Sequence, residues 1–244
     1  MPALLLDEPG DLGWRGRISE RSRWLKSANP KRRPAALNRA ASMSICAALL
    51  AGGESRRMGK DKATMLFRGQ PLWKIQLDLL RKLKPEEIFI SARNDPRWRP
   101  DDVKFVADEA PSRGPLSGIA ATLDEMRSTH LLALAIDMPF MNETYLRSLC
   151  GFAARGCGVV PRIDRRAEPL AAIYPRQALS DFQGALASSD FSLQTWTEQL
   201  VESGKLRVIP VAKEARQLFR NLNELRDMED DVLPATLNQT SQSS

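Results

Sequence analysis

The sequence predicts an α/β fold with a doubly wound, mostly parallel sheet. Three observations carry that prediction. From Ser44 onward, short apolar runs alternate with longer segments of helical period. Runs such as Leu131 to Ile136 (LLALAI) are apolar at consecutive positions, as in strands buried on both faces. Strands of that kind separated by helices make βαβ units, which build parallel sheets. The 244 residues, 43% of them hydrophobic, suffice for one substantial core.

In chain order, strands are expected at Ile45–Leu50, Glu87–Ser91, Lys104–Ala107, Leu131–Ile136 and Gly158–Pro161. Helical periods cover Leu72–Leu83, Leu116–Arg127 and Glu143–Ala154 between them. The last third holds a strand-like run at Ala167–Tyr174, helices near Gln177–Ala187 and Ser192–Glu202, and a final strand at Leu206–Val211. It is expected to complete the sheet and cap a site at the carboxyl ends of the strands.

The domain is expected over residues 43–232, between a basic extension (1–42) and a polar tail (233–244) read as disordered. The extension has no sustained period, although Trp14, Ile18 and Leu25 could form a short docking helix. Met43 stands directly before the first strand, so translation could also begin there. Of the net charge of +6, the extension carries nine Lys/Arg against four Asp/Glu, and the remainder is nearly balanced at 27 against 26. A nucleic-acid role for the folded part is therefore disfavoured, and one acting through the extension would vanish on its removal. No run of 18 apolar residues and no secretory leader is read. Cys46, Cys150 and Cys157 lack metal or disulfide spacing, which suits reduced thiols and a cytosolic setting.

The densest chemical signal follows the first strand: Leu50, Ala51, Gly52, Gly53, then Arg56, Arg57, Gly59, Lys60, Asp61 and Lys62. Glycines let backbone amides turn toward a phosphate, and the cations neutralise it. The bland alternative is a solvated glycine-rich turn. A Walker loop is excluded, because Gly52 and Gly53 stand two residues and one residue too far from Gly59-Lys60, and Asp61 follows. The GxGxxG pattern is absent too. Asp137 ends the LLALAI strand and Asp108 ends another, ahead of Gly114-Pro115-Leu116-Ser117-Gly118. Each aspartate could be an ordinary helix cap, but a carboxylate at a central strand end also suits Mg2+ held against a triphosphate. His130, the one histidine, starts a strand and reads as structural. That removes Ser-His triads, and no His/Cys cluster offers zinc. Phosphoryl-group chemistry tolerates the lack of a base, because a phosphate monoester is already largely a dianion near neutral pH.

Four motifs in order, LAGGESRRMGKDKA, FRGQPLW (Phe67–Trp73), DEAPSRGPLSGI (Asp108–Ile119) and IDMPF (Ile136–Phe140), resemble those of the molybdenum cofactor guanylyltransferases, the MobA family. The resemblance spans roughly residues 44–226 and implies a Rossmann-like, GT-A-like nucleotidyltransferase fold. It implies transfer of GMP from GTP to molybdopterin, with in-line attack at the α-phosphate, release of pyrophosphate and Mg2+ as cofactor. It further implies that Leu50, Ala51, Gly52 and Gly53 contact guanine and ribose, and that Arg57 and Lys62 meet the phosphates. Asp108 would lie against base or sugar, Ser91, where the family often has Asn, would be a further nucleotide contact, and Asp137 would ligate the metal and meet the nucleotide. Asn221 and Asn223 resemble the family's NxN element on the acceptor side. Partners implied are GTP and molybdopterin, with molybdoenzymes or cofactor-handling proteins beyond them.

Two features depart from the pattern or stay open. Glu224-Leu225 replace the family's Thr-Pro, and Glu168-Pro169-Leu170 falls where an acceptor should bind with no derivable selectivity. Relatives that use CTP tend to carry LAAG and to lack GPLSG, so Gly52 and the Gly114–Gly118 segment favour GTP. The alternatives are a nucleotidyltransferase of the same fold using CTP or another acceptor phosphate, and an inactive nucleotide-binding module.

Overall fold

In a computed structural model of the protein, residues 43–52, 61–108 and 112–222 are described. The basic extension with its proposed docking helix, the polar tail, Gly53, Arg57 and Asn223 lie outside the described residues.

The main sheet follows the apolar runs. Its path is β10 (Leu206–Pro210), β7 (Gly158–Ile163), β9 (Ala171–Pro175), β6 (His130–Ala135), β1 (Ile45–Leu50), β4 (Ile88–Ala92) and β5 (Lys104–Ala107), with β8 (Arg166–Ala167) paired to β7. A separate hairpin joins β2 (Leu66–Phe67) to β3 (Gln70–Pro71). β1 runs parallel to both β4 and β6, β4 parallel to β5, and β7 parallel to β10.

Consecutive apolar residues in β1 serve two cores. Ala47 and Leu49 face a core built with Leu72, Leu77 and Leu80 of α1 (Leu72–Lys82) and with Leu146 and Leu149 of α3 (Glu143–Phe152). Cys46, Ala48 and Leu50 face a second core with Leu116, Ile119 and Leu123 of α2 (Pro115–Glu125), Phe182 of α4 (Leu179–Ala187) and Leu200 of α5 (Leu193–Glu202). Helices on both faces bury both sides of the strands, which explains why the period-two signal is absent from the sequence.

Local chemistry sets the helix starts. The Asn142 Oδ1 accepts from the Tyr145 amide at 2.9 Å ahead of α3, and Ser192 caps α5 in the same way. α2 opens with Pro115 at its first position after Gly114, whose φ of +68° suits glycine. The predicted helix ends at Leu83, Arg127 and Ala154 retreat to Lys82, Glu125 and Phe152; β1 and β5 keep their predicted limits, the run Ala167–Tyr174 divides between β8 and β9, and the other strand limits shift by one or two residues.

The sequence places a strand-like run at Ala167–Tyr174 and leaves the antiparallel direction of β9 open. Only residues 164–170 separate β7 from β9, too few for the crossover of a dozen or more residues that a parallel return needs. The chain therefore doubles back through β8 and inserts β9 antiparallel between β7 and β6. At Gly158 the approach is so close that a Cβ would sit 1.9 Å from the Ile173 carbonyl oxygen.

Candidate active site

The strand order reverses at β1: the chain steps outward through β4 and β5, then returns to the other side of β1 as β6. In open α/β sheets a ligand crevice lies beyond the carboxyl ends at such a point. Leu50, Ala51 and Gly52 leave β1 there, while Ile136 and Asp137 leave β6; the Ile136 amide donates to the Leu50 carbonyl at 3.1 Å.

Lys62 enters the crevice from a short 3₁₀ turn, Lys62–Thr64, capped by Asp61, whose Oδ1 accepts from the Ala63 amide at 3.0 Å. Its Nζ lies 3.3 Å from Asp137 Oδ2, with the lysine 27% and the aspartate 17% exposed. A partly shielded cation and anion thus meet in the crevice beyond the carboxyl ends of β1 and β6. Neither aspartate serves as the ordinary cap that the sequence allowed: α3 is capped by Asn142, and Asp108 bonds to Ser91.

The turn bearing Lys62 has a support that the sequence reading missed. Trp98, in the β4–β5 connection, donates its Nε1–H to Asp61 Oδ2 at 2.8 Å and stacks on Trp73 of α1 at 5.6 Å. An isolated tryptophan in a polar loop (SARNDPRWRP) carries little signal until its partner Asp61 is known.

On the β4 side, Ser91 donates its hydroxyl to Asp108 Oδ1 at 2.6 Å, and its carbonyl accepts from the amides of Ala51 (2.9 Å) and Gly52 (3.1 Å). Burial raises the Asp108 carboxyl above its ordinary range; the Ser91 hydroxyl and the Arg93 charge pull the other way. The predicted base-side residues Leu50, Ala51, Gly52, Ser91 and Asp108 are therefore one cluster, adjoining Lys62 and Asp137.

On the β6 side, the Leu222 amide donates to the Asp137 carbonyl at 2.9 Å, which brings Asn221 to the crevice. Asn221 lines a cavity of about 570 Å³ with Pro115, Met138, Glu168 and Phe219. Burial raises the Glu168 carboxyl and Arg166 opposes the shift. The neighbouring Tyr145 hydroxyl is pushed up to about 12, first by burial and then by the Glu168 charge. A second cavity, of about 370 Å³, lies by Ser44, Ile45 and Leu83 and contains none of the predicted site residues.

His130 sits at the amino end of β6, about 17 Å of strand away from the crevice. It is buried, with ring nitrogens 2.9 Å from the Thr129 hydroxyl and 3.0 Å from the Ala154 carbonyl, as the structural reading expected. Burial lowers its pKa. The three cysteines are free. No helix of the described residues is long and apolar enough to cross a membrane.

Comparison with known proteins bears on the family and the fold. The chain is 36% identical over 187 residues to a protein of Opitutus terrae named "Probable molybdenum cofactor guanylyltransferase", covering 75% of this chain and 93% of that one. Its fold matches that of the molybdopterin-guanine dinucleotide biosynthesis protein A of Archaeoglobus fulgidus, with a TM-score of 0.62 at 24% identity over 76% of this chain and 95% of the other. It also matches a 4-diphosphocytidyl-2C-methyl-D-erythritol synthase of Anaerococcus prevotii, with a TM-score of 0.57 at 15% identity over 77% and 94% of the two chains. A fold shared by guanine- and cytidine-linked proteins does not itself choose the nucleotide. The MobA-like NTP transferase domain matches residues 47–204. That match spans more than half of the chain, and with the relative at 36% identity it shows that the chain belongs to the MobA-like NTP transferase family.

Proposed function

We propose that this chain transfers the guanylyl group of GTP to the phosphate of molybdopterin and releases pyrophosphate. The observation that carries the chemistry is the Lys62–Asp137 pair at the β1–β6 switch point, flanked by a base-side cluster and an acceptor-side cavity. The naming of the relatives as guanylyltransferases supports the choice of donor.

In this reading the backbone of Leu50 to Gly52 and the Asp108 carboxylate receive the guanine, and Lys62 with Arg57 meets the phosphates. An oxygen of the acceptor phosphate attacks the α-phosphorus in line. The new P–O bond forms as the bond to the β-phosphate oxygen breaks, and pyrophosphate takes the electron pair. No protein base is required, since the acceptor phosphate has a second pKa of about 6. Lys62 contributes charge aimed at the departing oxygens from a shielded position, where it is worth more than in water.

The donor set fits Mg2+. No group of three or more His, Cys, Asp or Glu side chains that could enclose a metal occurs among the described residues. Mg2+ commonly takes one or two carboxylates and completes its shell with substrate phosphates and water. Asp137 is the residue that would hold it. The ion would supply neutralisation of the triphosphate.

The cavity beside Asn221, with Glu168 and Phe219 in its wall, would take the acceptor. A cytosolic setting and hand-over of product to molybdoenzymes or cofactor-handling proteins belong to the same proposal. GTP labelled at the α-phosphate tests the reaction. The label should move to the molybdopterin product while a γ-phosphate label leaves as pyrophosphate. A γ label recovered as orthophosphate, or an α label that never leaves the nucleotide pool, would refute guanylyl transfer.

A further inference from the structure

Ser91 ties three parts of the base side together. Its carbonyl takes the amides of Ala51 and Gly52, which fixes where the chain leaves β1. Its hydroxyl takes hold of Asp108, whose own amide bonds to the neighbouring Ala92 carbonyl at 3.0 Å. Two glycines close around this contact. A Cβ on Gly52 would stand 2.3 Å from Asp108 Oδ2, and one on Gly118 would stand 2.3 Å from Ser91 Oγ and 3.2 Å from Asp108 Oδ1. Oδ1 is thus occupied by the hydroxyl, and Oδ2 is turned toward Gly52 at the lip of the crevice.

We propose that Ser91 is a positioning residue for nucleobase choice: by holding Asp108 Oδ1 it aims the carboxylate at the guanine edge that carries N1–H and the 2-amino group. The proposal rests on the guanylyl-transfer reading. A hydroxyl can give its one proton to an ionised carboxylate, and an ionised carboxylate only accepts. Guanine offers two donors at that edge. Adenine has a lone pair at N1 and no 2-amino group, so the same carboxylate meets an acceptor. An unpaired buried acceptor discriminates strongly between such bases. The hydroxyl also keeps Asp108 in the accepting form against the effect of burial, so its removal raises the pH at which base recognition is lost.

The test compares wild type, Ser91→Ala, Ser91→Cys and Ser91→Thr by steady-state kinetics with GTP and ATP, with melting temperature recorded for each. Ser91→Ala should raise the KM for GTP about tenfold or more, the scale of one hydrogen bond to a charged group, with little change in kcat. It should narrow the GTP-over-ATP preference and move the acid limb of the kcat/KM profile to higher pH. Ser91→Cys fills the site with a side chain of the same shape, slightly larger and only a weak donor, and should behave likewise, which preserves the test if the alanine variant does not fold. Ser91→Thr keeps the hydroxyl and should restore the preference. In an Asp108→Asn background, Ser91→Ala should add nothing further to the loss of preference. Equal losses for GTP and ATP, or an undiminished effect in that background, would overturn the proposal. If wild type turns over no GTP, it is the parent reading that fails. Equilibrium binding of GTP and ATP to the same variants then decides the role of Ser91 by the same narrowing of preference.

Discussion

Gly52→Ala is the sharpest perturbation that the base side permits. The new methyl would begin 2.3 Å from Asp108 Oδ2, whereas ordinary contact starts at 3.4 Å. The carboxylate would have to retreat by about 1 Å, a displacement that can cost about a hundredfold in rate when it falls on a substrate-positioning group. That corresponds to about 2.7 kcal/mol of lost transition-state binding. The backbone cost is small because Gly52, unlike Gly114, does not have positive φ, and the obstructing atom is a side-chain oxygen rather than backbone. Initial rates over a range of GTP concentrations, with a thermal melt alongside, measure both effects. The expected outcome is a fall of about two orders of magnitude in kcat/KM for GTP with a melting temperature close to wild type. Unaltered kcat/KM in a folded variant would show that Asp108 does not need its present place, and the base-side reasoning would fail.

Asp137→Asn and Lys62→Ala should each lower kcat by about a hundredfold or more, as loss of one preorganised charge does. Lys62→Ala should cost at most about 1 kcal/mol in stability, because the ion pair is partly exposed; a large loss of melting temperature with normal kcat would make the pair structural. Trp98→Phe keeps a ring to stack on Trp73 and deletes the donor to Asp61, so kcat should fall several-fold with the fold intact; no kinetic change would remove Trp98 from the support of Lys62. Burial favours neutral His130 in the folded protein and lowers its pKa from an unfolded value near 6.5. Its contribution is therefore present above about pH 6.5 and is lost as pH falls through the lower folded value. His130→Gln should flatten the wild-type loss of stability between about pH 7 and 5 measured by denaturant unfolding, and identical slopes would contradict this account.

The sheet was legible because its central strands are buried on both faces: LLALAI and ICAALL are apolar in every register, and only a two-layered cover of helices satisfies them. Asp137 stands out because it follows such a strand, and Lys62 because it ends the glycine- and cation-rich segment after β1. What escaped was set by tertiary distance. The antiparallel β9 follows from the short 164–170 link, which looks like any loop until the pairing of β7 is known. The Trp98 bond to Asp61 spans thirty-seven positions, and the bond by which the predicted Ser91 holds Asp108 spans seventeen. No local period marks either pair. Gly52 and Gly118 read as turn or helix residues in sequence, yet both are small because Ser91 and Asp108 occupy the space a Cβ would need.

The central claim is that the crevice between β1 and β6 joins a guanine nucleotide to a molybdopterin phosphate. The most direct measurement is pyrophosphate release by the wild-type protein with molybdopterin and Mg2+, supplied in turn with GTP, CTP, ATP and UTP. The account predicts pyrophosphate and a guanine dinucleotide of molybdopterin in equal amounts with GTP, and little product with the others. Product from CTP in the absence of product from GTP, or nucleotide binding with no pyrophosphate from any donor, would contradict it.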